Sequence, residues 1–512
     1  MNETLLNDFK NDLTAFHEAT HKFYAKEMSV AQYKGFSGGF GSYAQRGGEK
    51  SMLRLRLTGG EISRENLEFI ADSIEKYDID RVHLTTCQSI QLHNLNEATV
   101  CALIEEAFAH GIITRGGGGD YPRNVMASPL SGVQKGESFD VMPYAKAAAD
   151  FLMPFIHSVK LPRKLKVCFS NGSENVTHAT FRDLGFMAND DGTFDVYSAG
   201  GLGNHPKMGV CVGSHVSPEK ILYYIKAMID TFTAYGNYEN RGRARTRYMQ
   251  DTLGVDGYKA AFKEKLDAVM ASEGLDLKLT AEAVTKTGDE TDFIHKRVTA
   301  QKQKGLYALS YQPLGGNPAP EMFRKLSDAL KMMPEVLIRL TPGEGMYFIN
   351  CTKAEALKLI EITDDSAQTL FETSVACIGT SICQVGARDS QALLSACIEA
   401  VRKENFADGV LPKIRISGCP SSCSAHQAGT IAFRGGVKQT PDGPKPAFAM
   451  YVGGCETQGR EKFGKDMGII KETDIPEMLV EIGRAIALEN TDYETWIQKN
   501  EDVLETIVKK YV

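Results

Sequence analysis

Lys413-Ile-Arg-Ile-Ser-Gly-Cys419-Pro-Ser-Ser-Cys423 is the stretch on which the fold of this chain turns. Basic and apolar residues alternate at first, which is the pattern of a strand. The run then breaks into a Gly/Ser/Pro turn carrying two cysteines with three residues between them. Upstream, Ala376-Cys377-Ile-Gly-Thr-Ser-Ile-Cys383 sets another two cysteines with five residues between them. Both pairs sit in turns rather than on apolar faces, where packing cysteines belong. Four thiolates suit an iron–sulfur cluster. Zinc ribbons pair cysteines two residues apart, which neither pair here does.

The same stretch has an earlier counterpart. Leu161-Pro-Arg-Lys-Leu-Lys-Val167 resembles Leu411-Pro-Lys-Ile-Arg-Ile416. Ser170-Asn-Gly-Ser-Glu-Asn175 follows the first, and Gly418-Cys-Pro-Ser-Ser-Cys423 follows the second. Further upstream, Leu53-Arg-Leu-Arg-Leu-Thr-Gly59-Gly60 precedes a helix with Leu67, Ile70, Ala71 and Ile74 at helical spacing. Leu314-Gly315-Gly316 precedes another, with Met322, Leu326, Ala329 and Leu330. A strand-like run from His83 to Leu92 and a helix through Leu103 and Ile104 follow the first. The run from Arg339 to Ile349 and a helix through Leu359 and Ile360 follow the second, and Leu84-Thr85 returns as Leu340-Thr341. Matches in the same order mark an internal repeat. The expected fold class is α+β and internally duplicated: two small strand–helix–strand–helix units, each with a larger mixed α/β lobe.

Composition narrows the function. A chain of 512 residues exceeds one core and suggests about three domains. With 42% hydrophobic and 24% charged residues it reads as an ordinary globular protein, and a net charge of −7 argues against a nucleic-acid partner. The N-terminus lacks the basic start and apolar core of a signal peptide, and no apolar run is long enough to span a membrane. Eleven cysteines are few for a disulfide scaffold of this size, so a cytoplasmic location is expected.

The cysteine pattern and the repeat resemble the ferredoxin-type sulfite and nitrite reductases, which have this duplicated plan and hold a siroheme coupled to a [4Fe–4S] cluster between the halves. The likeness runs from Met52 to Gly454. It implies that Cys377, Cys383, Cys419 and Cys423 ligate the cluster and that Cys423 also bridges to the siroheme iron. With the boundaries drawn from the repeat, the expected parts are a helical extension over 1–45, ferredoxin-like half-domains over 46–140 and 305–365, a siroheme and substrate lobe over 141–295, and a cluster lobe over 366–512. Siroheme carries eight carboxylates and the substrate is an anion, so the site must be dense in Arg and Lys. Arg54 and Arg56 alternate along a strand, and by resemblance they bind siroheme carboxylates. Gly116–Gly119 leads into Asp-Tyr-Pro-Arg123-Asn-Val, and Arg123 matches the family's substrate arginine. Lys164 and Lys166 share one face of the strand expected from Leu161. By resemblance they neutralise the bound oxyanion and help protonate it. The implied activity is six-electron reduction of a small oxyanion, with ferredoxin or a similar one-electron carrier as donor. The Lys-x-Lys pattern points first to sulfite reduction to sulfide and second to nitrite reduction to ammonia.

Several features compete with this reading. The family's Leu-Thr-Thr-Arg-Gln appears here as Leu84-Thr-Thr-Cys87-Gln88, and a neutral thiol does not replace a permanent cation. A precorrin-3B synthase-like monooxygenase would share the architecture without needing both lysines. His17-Glu18-Ala-Thr-His21 is a literal H-E-x-x-H, the mark of a zinc peptidase, but no third ligand is signposted. Arg241-Gly-Arg-Ala-Arg-Thr-Arg247 suits a structural or cofactor role. Gly200-Gly-Leu-Gly203 lacks the full dinucleotide fingerprint, so no flavin or nicotinamide site is expected.

Overall fold

The computed structural model describes residues 3–280, 283–289 and 292–512. The chain divides into two compact units. One comprises 1–201, 206–311 and 318–364; the other comprises 202–205, 312–317 and 365–512.

The first unit holds both ferredoxin-like half-domains. In the first, strands β1 (Ser42–Ala44) and β2 (Ser51–Arg56) are followed by the short β3 (Glu61–Ile62), then β4 (Val82–Leu84) and β5 (Ser89–Leu95). The sheet order is β1-β2-β5-β4. Helices Arg64–Lys76 and Glu97–Ala109 cover it, their first turns capped by the side chains of Ser63 and Asn96. A second sheet follows, of β6 (Met126–Ala127), β7 (Val167–Ser170), β8 (Leu184–Ala188), β9 (Phe194–Ser198) and β10 (Val210–Val216). The second half-domain uses β11 (Val298–Ala300), β12 (Tyr307–Tyr311), β13 (Leu337–Leu340) and β14 (Met346–Cys351), and β3 pairs onto the β13 edge. One apolar core serves both half-domains, with Leu53, Leu55, Ile90 and Leu92 in the same cluster as Leu309, Ile338, Leu340 and Phe348. Burying each such side chain contributes roughly 1.5–3 kcal/mol.

The second unit carries β15 (Val375–Ala376), β16 (Ile414–Ser417), β17 (Ile431–Thr440), β18 (Gly443–Val452) and β19 (Lys465–Lys471). Its first three strands run parallel and the last two antiparallel. The β6–β10 sheet has the same plan.

The duplication extends to backbone irregularities. Left-handed residues recur in pairs: Gly59 with Gly315, Gly60 with Gly316, Gln88 with Glu344, and Asn94 with Asn350. A Cβ on Gly60 would lie 2.7 Å from the Leu340 carbonyl, so glycine is required there on two counts. Even the β-bulge recurs, between Ser51 and Leu53 and between Tyr307 and Leu309. In the lobes, strand pairing matches Val167 with Ile414 and Ser170 with Ser417. The first copy therefore carries extra chain between Leu161-Pro162 and its strand.

One expectation changes. The run from His83 to Leu92 is not one strand but the β4–β5 hairpin, turning at Thr85–Gln88. The H-E-x-x-H motif lies on the helix Glu3–Tyr24, and among the described residues no group of three His, Cys, Asp or Glu side chains is placed there to hold a metal ion. His17 Nε2 stands 3.6 Å from Glu105 and His21 Nδ1 bonds Glu97 at 2.9 Å, while Glu18 points to solvent. The expected N-terminal helices are present as Glu3–Tyr24 and Val30–Ser37, and no helix of the described residues is long and apolar enough to cross a membrane. The polar connector between Ser272 and Val298 has no helix or strand among its described residues.

Candidate functional site

Two groups of residues carry chemistry, one in each unit. In the first unit, β2 presents Arg54 and Arg56 to the glycine-rich loop. Arg54 Nη1 donates to the Gly117 carbonyl at 2.6 Å. Arg56 donates to the carbonyls of Arg115 at 2.7 Å and Arg123 at 3.3 Å. The loop is held by close backbone approach: a Cβ on Gly118 would sit 2.2 Å from the Gly38 carbonyl. Arg123 leaves this loop beside the extended segment 164–166, its N–H bonding the Leu165 carbonyl at 2.9 Å. Burial lowers the Arg56 and Arg123 guanidinium pKa values to about 10, so both remain charged at neutral pH.

The β4–β5 turn brings Cys87 into this company. Asn124, next to Arg123, fixes the turn by donating to the carbonyls of Leu57, Cys87 and Gln88 at 2.8, 3.1 and 3.1 Å. Gln88 locks the turn from the other side, donating to the carbonyls of Ala127 and Leu340 at 2.9 and 2.8 Å. The Arg-Asn-Val motif therefore supplies a cation and the clamp that positions its neighbour.

Lys166 Nζ lies 3.2 Å from Cys87 Sγ. Burial alone would push the Cys87 thiol up. Lys166, Arg182 and Arg123 outweigh burial and hold it at about 6, so the group is a thiolate at neutral pH. Burial pushes Lys166 down, and the thiolate opposes that shift. The backbone of Lys166 is anchored by Asp183, whose Oδ2 accepts its N–H at 2.9 Å. Asp183 is itself fully buried and bound by Arg245 at 3.0 Å. Burial would raise its pKa, but Arg245 and the Thr246 hydroxyl hold it below the usual carboxylate range.

Arg54, Arg56, Arg123 and Lys166 are thus brought together, and Lys164 lies half-buried one residue before the Leu165–Pro122 bridge. Sequence reasoning missed Arg182 and Asp183, which precede β8 without a motif of their own. The Arg241–Arg247 run is tied mainly to acids: Arg241 to Asp120 at 2.6 Å, Arg243 to Asp251 at 3.4 Å, and Arg245 to Asp183.

In the second unit, β15 and β16 run parallel, so the residues that follow them emerge at one edge. Cys377 follows β15, and Gly418-Cys419 follows β16. The Gly418 N–H donates to Cys377 Sγ at 3.2 Å, and the Cys383 N–H to the Gly379 carbonyl at 2.8 Å. Ser422 and Ala425 adopt left-handed backbone around Cys423. Cys423 is exposed, the other three are half-buried, and none forms a disulfide. Among the described residues no three His, Cys, Asp or Glu side chains close around a single ion, these four cysteines included. A four-iron cube takes one thiolate on each iron, so it asks for ligands set apart rather than convergent. Unbridged thiols on turns, with an amide already donating to one sulfur, fit that requirement.

Known proteins resemble this chain over most of its length. The profile of the nitrite and sulphite reductase 4Fe-4S domain matches residues 118–270, and that of the nitrite/sulfite reductase ferredoxin-like half domain matches 43–109. A chloroplastic ferredoxin–nitrite reductase of Zea mays is 27% identical over 425 residues, covering 79% of this chain and 73% of that protein. The ferredoxin–nitrite reductase of Synechococcus elongatus is 24% identical over 446 residues, 84% of each chain. The sulfite reductase [NADPH] hemoprotein beta-component of Bacillus licheniformis is 24% identical over 433 residues, covering 75% and 73%. In fold, the structure of the Mycobacterium tuberculosis NirA protein superposes with a TM-score of 0.78 at 21% identity, over 98% of this chain and 97% of that one. Profiles of one family fall on both parts of a single repeat, and relatives align over most of the length. The chain therefore belongs to the nitrite and sulfite reductase family of oxidoreductases.

Proposed function

We propose that this protein reduces nitrite to ammonia in a six-electron reaction, with ferredoxin or a similar one-electron carrier as donor. One observation carries the choice of anion. The Lys-x-Lys pattern pointed to sulfite, but Lys166 spends its charge on the Cys87 thiolate at 3.2 Å. The second lysine is thus not left as a free charge for a dianion, and relatives named as nitrite reductases stand among the similar sequences.

Siroheme and the [4Fe–4S] cluster, when bound, deliver electrons one at a time to the anion. The protein's own residues bind, orient and protonate. Arg123, fixed by the Gly119 carbonyl at 3.1 Å and carried beside Lys166, supplies a permanent charge for the anion. Lys164 and Lys166 provide exchangeable protons, which NO2⁻ + 6e⁻ + 8H⁺ → NH4⁺ + 2H2O consumes in quantity. Arg54 and Arg56 keep N–H groups beyond their backbone contacts for siroheme carboxylates. Cys377, Cys383, Cys419 and Cys423 hold the cluster. The absence of disulfides among eleven cysteines suits a reducing cytoplasm. Turnover with reduced methyl viologen tests the reading. Ammonia formed from nitrite is expected at a kcat/KM above that for sulfite; a higher value for sulfite would reverse the assignment.

A further inference from the structure

The position that resemblance reserves for an arginine holds Cys87, with the Lys166 ammonium 3.2 Å from its sulfur. Arg123, Lys166 and Arg182 converge on Cys87. Beneath them the thiol packs on the apolar floor made by Met126, Cys168, Ala179 and Met187. The thiolate and the Lys166 ammonium stand in hydrogen-bond contact. A contact pair of opposite unit charges presents a dipole, not a net charge, to anything that approaches. The turn cannot withdraw the sulfur, because Asn124 and Gln88 clamp it from two sides.

We propose that Cys87 is a specificity-determining residue: its pairing with Lys166 subtracts one positive charge from the cation cluster and tunes that cluster to an anion carrying a single charge rather than two. The inference rests on the reductase reading above and sharpens it. Nitrite carries one charge, whereas sulfite carries two once its proton is lost. Each added cation strengthens the hold on a dianion twice as much as on a monoanion, so removing one discriminates by charge alone. Arg182, held by the Thr177 carbonyl at 2.8 Å, and Arg123 remain as the cations with permanent charge.

The test uses the holoenzyme, its Cys87→Ser and Cys87→Arg variants, and nitrite and sulfite as separate substrates with reduced methyl viologen. The ratio of kcat/KM for sulfite to that for nitrite is expected to rise about tenfold in Cys87→Ser and further in Cys87→Arg. An unchanged ratio in both variants overturns the proposal. A second readout needs no turnover. Alkylation of Cys87 by iodoacetamide, followed by mass spectrometry of its peptide, is expected to proceed at lower pH in the wild type than in Lys166→Met. Equal pH profiles would remove the ion pair on which the inference stands, even if Cys87→Arg failed to retain its cofactors. Failure of the underlying reading looks different: a wild-type enzyme that prefers sulfite, yet shifts further toward it in Cys87→Ser, loses the nitrite assignment and keeps the role of Cys87.

Discussion

The loop after β7 and the loop after β16 share a backbone and differ in chemistry. Asn171 N–H donates to Ser128 Oγ at 3.1 Å; Gly418 N–H donates to Cys377 Sγ at 3.2 Å. The Ser138 N–H reaches the Asn171 carbonyl and the Ala387 N–H reaches the Gly418 carbonyl, each at 2.9 Å. Gln134 bonds back to Leu130 as Cys383 does to Gly379. Left-handed Asn175 and His178 answer to Ser422 and Ala425. At the four cysteine positions the first copy has Ser128, Gln134, Gly172 and Val176. The Asn171 amide ties its loop shut, donating to Gln134 Oε1 at 3.1 Å and Glu137 Oε2 at 2.9 Å. The lesson is that the loop frame is backbone-built and does not depend on sulfur. One copy fills the frame with an amide network and places cations beside it, while the other fills it with thiols.

If that is right, the two chemistries separate on mutation. Cys419→Ser removes one thiolate and is expected to strip iron and abolish turnover by more than about a thousandfold, while Cys87 keeps its alkylation profile in the other lobe. Coupled loss of both would break the comparison. Arg123→Ala is expected to lower kcat/KM for the anion by about 10²–10³, the usual effect of deleting one preorganised donor, with iron content unchanged. Iron lost along with activity would show that Arg123 serves assembly instead.

Asp183→Asn acts on stability. Removing a buried partner of Arg245 should cost roughly 3 kcal/mol in the first unit, read by denaturant unfolding. The sign with pH follows. Because the folded carboxyl lies below its ordinary value, its contribution is full above about pH 4 and fades as pH falls through the folded value. The variant should therefore show a flatter acid limb than the wild type; parallel curves would remove Asp183 from the account.

The repeat was legible because its constraints are local. Gly59-Gly60 and Gly315-Gly316 recur because left-handed backbone demands glycine, and Leu-Thr recurs at the matching hairpin. The cysteine spacing was legible because turn residues surround it. The hairpin at Thr85–Gln88 was hidden, since Thr-Thr-Cys-Gln is no standard turn sequence and apolar residues continue on both sides. The Leu-Pro alignment of the lobes set Arg163 against Lys413, whereas strand register sets Lys166 there, because an insertion before a strand leaves no mark in composition. Arg182 and Asp183 act only through tertiary contacts. Cys87 read as a lost charge; that it had become a thiolate followed only from Lys166 arriving across the fold.

The smallest expected effect bears most directly on the shared frame. Asn171→Ala deletes the amide that closes the first loop but leaves its backbone N–H on Ser128 and its carbonyl on Ser138. Glu137 keeps the Gly132 N–H at 2.9 Å and Lys302 at 2.7 Å, so its carboxylate is not stranded. Two side-chain hydrogen bonds are lost without an orphaned charge, which costs about 1–2 kcal/mol of stability. Iron content and the anion selectivity should stay as they were, since neither the thiols nor the Cys87–Lys166 pair is touched. A larger loss, with local unfolding seen by amide hydrogen exchange at 128–138 and 170–176, would mean that the amide network builds the loop. The backbone frame would then be a consequence of its filling, and the cysteine loop would be expected to need its cluster in order to fold.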